Sequence, residues 1–175
     1  GITAAPGTGL PPAYAGAFFL CDFVGTRTAS TGGVWAFWLE PDGAGLRLNR
    51  SEKFLRGLLP TDVDFAPDGG LYVSDFGHGW VGEGKGRLYR ISHRDARNDP
   101  ALREVAKWST LDCSQAATAT LRDLLAHPDR RLRMRAQFAL VERPEGPRIL
   151  LQAAQAGPTL LARLHGIWGL GQLGR

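Results

Sequence analysis

The sequence predicts a two-part chain: antiparallel strands of the kind that build β-propeller blades, followed by an α-helical solenoid of short stacked pairs. Three observations carry this expectation. The stretch from Thr61 to Ile91, TDVDFAPDGGLYVSDFGHGWVGEGKGRLYRI, reads as strand, turn, strand, loop, strand. A similar pattern stands earlier, where Gly16 to Phe23 lines up with Gly69 to Phe76 and Gly33 to Trp38 with Gly86 to Ile91, at an offset of 53 residues in both. A spacing near 50 suits a four-stranded blade with one generous loop. Beyond Asp112 the apolar period changes from about 2 to about 3.6, the change from strand to helix.

Each element has its own reason. Residues 1–13 are rich in Gly, Pro and Ala and read as a loop. Ala17 to Phe23 is the first strand, followed by the polar loop VGTRTASTGG. Val34 to Glu40 is the second, closed by Pro41-Asp42-Gly43, and Leu46 to Asn49 the third. Glu52 to Leu59 leads into the main unit. There Asp62 to Phe65 alternates acid and apolar, and Pro67-Asp68-Gly69-Gly70 is turn chemistry, because Pro fixes φ and Gly takes φ > 0 without steric cost. Leu71 to Phe76 and Arg87 to Ile91 are rich in strand formers. Trp35 and Trp38 fall on opposite faces of their strand, so one should be buried and the other should lie between blades. HRDARNDP is a charged linker, and Pro100 to Thr110 suits either a short helix or a closing strand.

Four apolar stripes at helical spacing follow. Leu121, Leu124 and Leu125 form the first, ended by His127-Pro128-Asp129. Leu132, Ala136, Ala139 and Leu140 form the second, ended near Arg143-Pro144. The third runs from about Pro147 to Ala156 and stops at Gly157-Pro158. Leu160, Leu164, Ile167, Trp168 and Gly171 form the fourth. Short helices with tight turns and one apolar face each predict stacked antiparallel pairs. The expected division is residues 1–96 as blades, 97–111 as linker and 112–175 as helical repeats.

Composition bounds the function. The chain has 175 residues, 43% hydrophobic and 22% charged, with a net charge of +4. That is enough for one sizeable core or two small ones. Arg130, Arg131, Arg133 and Arg135 alternate with Leu132, Met134 and Ala136, which reads as a solvated helix face and not as a nucleic-acid surface. No run approaches a membrane span, and Gly1 to Leu10 lacks the basic start and apolar core of a signal peptide. Cys21 and Cys113 have no metal-ligand spacing, and their disulfide state is left open.

HPDRRLRMRAQFAL, from His127 to Leu140, resembles a HEAT repeat of the short bacterial type, with Asp129 in the turn as a helix cap. LARLHGIWGLGQLG resembles the matching helix of the next repeat. TDVDFAPDGGLYVSDF with GRLYRI resembles the final blades of sugar-dehydrogenase-like propellers. In this order the two parts are similar to the large bacterial "membrane-bound dehydrogenase" proteins, which usually continue into a cytochrome c domain. The resemblance implies a periplasmic or secreted parent that oxidises a sugar or alcohol. Its cofactors would be pyrroloquinoline quinone, Ca²⁺ and haem c, and its partners the remaining blades and repeats. The family's haem motif, Cys-x-x-Cys-His, is absent from this sequence. So is the propeller portion that carries the catalytic histidine. With about two blades and two repeats, the chain reads as an internal piece of a larger protein.

Asp62 and Asp64 are the sharpest site candidates. Two apart on one strand, they project to the same face while Val63 and Phe65 face the other. There they would bind Ca²⁺ or orient a polyol, or else Asp62 caps a turn and Asp64 meets water. Asp22 and Asp75 are repeat-equivalent and are expected to bond backbone at strand ends. His78, in a glycine-rich loop beside Trp80, is a candidate base or ligand. Gly82-Glu-Gly-Lys-Gly86 leads into a strand and so lacks the helix N-terminus of a phosphate loop. His165 is expected to pack in a core or groove near Trp168. Two functions stay open: a piece of a propeller dehydrogenase, or a non-catalytic scaffold that binds protein or carbohydrate.

Overall fold

The computed structural model describes residues 1–24, 31–77, 84–110 and 112–174, with the backbone only at Arg97. The chain divides into two compact units, Gly1–Leu102 and Arg103–Arg175. The first holds two antiparallel sheets. One has four strands in the order β1 (Ile2–Ala4), β2 (Phe18–Asp22), β3 (Gly33–Asp42) and β4 (Gly45–Arg56). The other has three, β5 (Pro60–Phe65), β6 (Leu71–Asp75) and β7 (Arg87–Ile91). Each is a simple meander, and neither closes on itself among the described residues.

Two expectations about these strands need correction. The opening residues are not all loop: Ile2, Thr3 and Ala4 pair with Leu20, Phe19 and Phe18. The expected third strand and the segment after it are one strand of 12 residues, β4. Gly43 at φ 59 begins a two-residue turn that sets Asp42 opposite Gly45, so the chain must run back along β3. β4 is an outer strand with mostly exposed side chains, which is why its sequence reads as polar and carries little strand signal. The second turn matches its expected chemistry. Gly69 has φ 76, and Asp68 accepts from Gly70 N at 2.9 Å and pairs with Arg90 at 2.7 Å.

Both sheets contribute to one core. Ala17, Phe19, Val34 and Ala36 from the first meet Val63, Phe65, Leu71 and Val73 from the second. Phe19 is fully buried, with Phe54 and Phe65 edge-on to it at 5.1 and 5.4 Å. Trp38 is buried and stacks on Tyr14, while Trp35, on the opposite face, is half-buried beside Lys53.

The repeat holds as a strand pattern but slips by one residue in face. Phe19 and Val73 are the buried centres of β2 and β6, and they pair with Ala36 and Tyr89. At an offset of 53, Phe19 instead corresponds to Tyr72, which is on the other face. Side chains alternate with a period of two, so a slip of one exchanges inside for outside. Cys21 therefore faces the core, while Ser74 faces away and bonds the Thr61 hydroxyl at 2.8 Å.

The segment from Pro100 that suits helix or strand is helical, α1 (Pro100–Ser109), with Ala101 N donating to Asp99 at 2.9 Å. In the second unit follow α2 (Thr118–Leu124), α3 (Arg130–Val141), α4 (Gly146–Ala156) and α5 (Leu160–Leu173). The first two predicted stripes are the core: Leu121, Leu124, Leu125, Leu132, Ala136 and Leu140 are buried with Ile149 and Leu150. Asp129 caps α3 and Thr159 caps α5 through their side-chain oxygens. Arg143 ties the turn before α2 to the end of α3, donating to Thr118 Oγ1 and to the carbonyls of Cys113, Ser114 and Ala116.

The fourth stripe lies on the wrong face. α5 buries Ala162, His165, Gly166 and Gly169, and leaves Leu160, Ile167 and Trp168 more than half exposed. The reason is close approach: a Cβ on Gly166 would stand 2.5 Å from Ala154 N and 2.7 Å from Leu150 O of α4. Only small residues let two helix backbones come that near, so the bulky side chains turn outward. No helix among the described residues is long and apolar enough to cross a membrane.

Candidate functional site

Asp62 and Asp64 do share the exposed face of β5, with Val63 and Phe65 buried behind them. β5 is an edge of its sheet and lies against β1 and β2 of the other. This brings Thr3 Oγ1 to Asp64 Oδ1 at 2.9 Å, a contact the sequence does not announce. Val63 N and Phe65 N donate to the Oδ1 atoms of Asp62 and Asp64 at 2.9 and 2.8 Å. Ca²⁺ takes about six to eight oxygens, so two carboxylates with one oxygen each already engaged supply at most part of its shell. Among the described residues no three of His, Cys, Asp and Glu gather in metal-binding range.

His78 lies outside the described residues, as does Trp80. Asp75 behaves as expected of a strand-end carboxylate: buried, it accepts from Leu59 N at 2.9 Å and Gly77 N at 3.1 Å. Asp22 does not. It faces away from the core and takes the Lys53 ammonium and the Trp35 indole N–H, the latter at 3.0 Å. The Lys53 hydrogen bond, then that from Trp35, holds the Asp22 carboxyl below its ordinary range. Both cysteine thiols are free, and burial raises that of Cys21.

The helical unit carries a groove between α3 and α5. It has a volume of about 760 Å³ and is lined by Arg130, Arg133, Met134, Gln137, His165 and Trp168, among others. Among the described residues no acidic side chain lines it. The run from Arg130 to Arg135 is not a solvated face. Arg131 grips Asp129 through two nitrogens, at 2.9 and 2.7 Å. Arg135 donates to the carbonyls of Trp108 and Ser109 at the end of α1. Arg133 is 6% exposed and donates from Nη1 to the carbonyls of His127 and Pro128 at 2.6 and 2.7 Å. Its Nε is buried without an acceptor. Burial lowers the affinity of Arg133 for its proton and Arg130 adds to this, while Asp129 opposes it.

His165 closes the floor of the groove. It is 3% exposed, with Trp168 edge-on at 5.0 Å, and burial followed by the charge of Arg133 lowers its pKa to about 4. It packs in the groove beside Trp168, as expected of a lone helix histidine. The groove itself is not announced by any motif. Its one sequence signal is that LLARLHGIWGLGQL is apolar on all sides, a pattern that a half-exposed helix does not need.

Compared with protein-family models, curated proteins and solved structures, the chain matches none.

Proposed function

We propose that this chain is a recognition module in which two propeller-type blades accompany two HEAT-type helical hairpins, and in which the α3/α5 groove takes a partner. One observation carries it. Met134, Leu161, Ile167 and Trp168 stand between 42% and 54% exposed along one groove, around a polar floor of Gln137, His165 and Gln172. Several large apolar side chains exposed together on one surface are the chemistry of an interaction site. Two antiparallel meanders of four and three strands, with their first strands in contact, suit adjacent blades. Helices paired in sequence order suit a solenoid.

The test is a chemical-shift screen of the ¹⁵N-labelled chain with short peptides and with monosaccharides plus Ca²⁺. The reading expects perturbations gathered on Gln137, His165 and the Trp168 indole. Perturbations that scatter or never appear would sink it.

A second reading is favoured by Asp62 and Asp64 on one exposed face beside Thr3. It places the chain in a dehydrogenase-like parent of the kind its sequence resembles, periplasmic or secreted, acting on a sugar or alcohol and passing electrons to haem c. Asp62 and Asp64 would then share a polyol or calcium shell with groups from the parent's other blades. In the same screen, monosaccharide- and Ca²⁺-dependent shifts at β5 would favour it.

A further inference from the structure

We propose that the occupant of the α3/α5 groove is an acidic peptide segment, its carboxylates held at the first turn of α3 and its apolar side chains laid over Trp168 and Met134. This rests on the recognition reading and adds the chemistry of the partner.

Charge complementarity is the first argument. Among the described residues the groove is lined by two guanidinium groups, Arg130 and Arg133, and by no acid. The unit around it is basic, with eleven Lys and Arg against six Asp and Glu in residues 103–175. Arg133 is the second argument. A guanidinium that is more than nine-tenths buried, with a donor left unmatched, is an expensive arrangement unless an anion completes it. Asp129, whose charge acts on Arg133, is itself gripped by Arg131. The third argument is shape. Along α3, 12 residues span about 18 Å, room for roughly five extended residues. Such a peptide would set its acids at the cationic turn and its apolar residues on the exposed rings.

Nucleic acid suits the groove less well. Phosphate tracking needs several spaced cations. The lining of the groove holds two arginines, Arg130 and Arg133, among mostly apolar walls.

Fluorescence anisotropy on the full chain tests the proposal with three dye-labelled probes: a short peptide alternating Glu and Leu, its Gln–Leu counterpart, and a single-stranded oligonucleotide. The Glu–Leu peptide should bind at least about tenfold more tightly than the Gln–Leu peptide, with the difference shrinking as salt rises. Arg130→Gln should erase that difference, and Trp168→Ala should weaken both peptides by about tenfold. A thermal melt of each variant checks that the fold is kept. Arg133 is left intact because it braces the turn before α3. Equal binding of the two peptides would overturn the acidic assignment while leaving the groove a recognition site. Tighter binding of the oligonucleotide would overturn it in favour of a phosphate partner. Binding of neither peptide would remove the proposal, and the shift screen would then decide the broader reading by itself.

Discussion

His165 Nδ1 stands 2.7 Å from Gln137 Oε1, and Gln137 Nε2 donates in turn to Gln172 Oε1 at 2.6 Å. Because the Gln137 amide nitrogen is committed to Gln172, its oxygen faces the imidazole, and Nδ1 must carry the hydrogen. Three polar side chains of α3 and α5 are thus satisfied in series under the groove. A neutral imidazole completes this chain, and an imidazolium would add a buried charge next to Arg133.

Acid should therefore loosen the helical unit through His165. Its pKa lies near 4 in the folded chain, against 6.5 when unfolded. Between those values the unfolded state binds a proton that the folded state refuses. The stabilisation present above pH 6.5 is lost progressively as pH falls toward 4, by up to about 3 kcal/mol. Urea midpoints measured across that range should fall in the native chain and flatten in His165→Gln. A native slope equal to that of the variant would contradict the buried, neutral ring.

Two glycines of α5 should respond to the same substitution with opposite signs. Gly166→Ala drives a methyl into Ala154 N and Leu150 O of α4 and should destabilise by about 2 kcal/mol or more. Gly171→Ala meets nothing within 4 Å and lies inside the helix, so it should stabilise by about 0.5–1 kcal/mol. Thermal unfolding of both variants reads the difference directly. Equal midpoints would mean that α4 and α5 are not in backbone contact.

The two strand-end aspartates should separate in the same way. Asp75→Ala leaves the buried Leu59 N–H without its acceptor and should cost about 2–3 kcal/mol, with little dependence on salt. Asp22 acts through the charge of Lys53, so the loss in Asp22→Ala should shrink as salt rises. Its lowered pKa gives the sign: the contribution is whole above the ordinary carboxylate range and disappears as pH falls through the lowered value. Denaturant titrations at two salt concentrations distinguish the pair. A salt response shared by both would put Asp22 and Asp75 back in equivalent roles.

The elements themselves were legible because they are written in local chemistry. Pro67 to Gly70 makes the turn that its residues demand, Asp129 caps α3, and Leu121 to Leu140 repeats at the spacing of a buried helix face. Asp62 and Asp64 share a face because the pleat has a period of two. Facing and packing were decided only by tertiary structure. β4 reads as polar because an outer strand needs backbone partners more than apolar side chains. The 53-residue repeat marks where strands end, whereas the face each strand buries depends on the partner opposite it. In α5 the largest apolar residues look like core, yet the backbones of α4 and α5 approach so closely that Gly166 must take the buried side. Leu160, Ile167 and Trp168 are turned out by that exclusion. The groove that Ile167 and Trp168 line comes from the volume of neighbouring backbone, which no residue of the stripe encodes by itself.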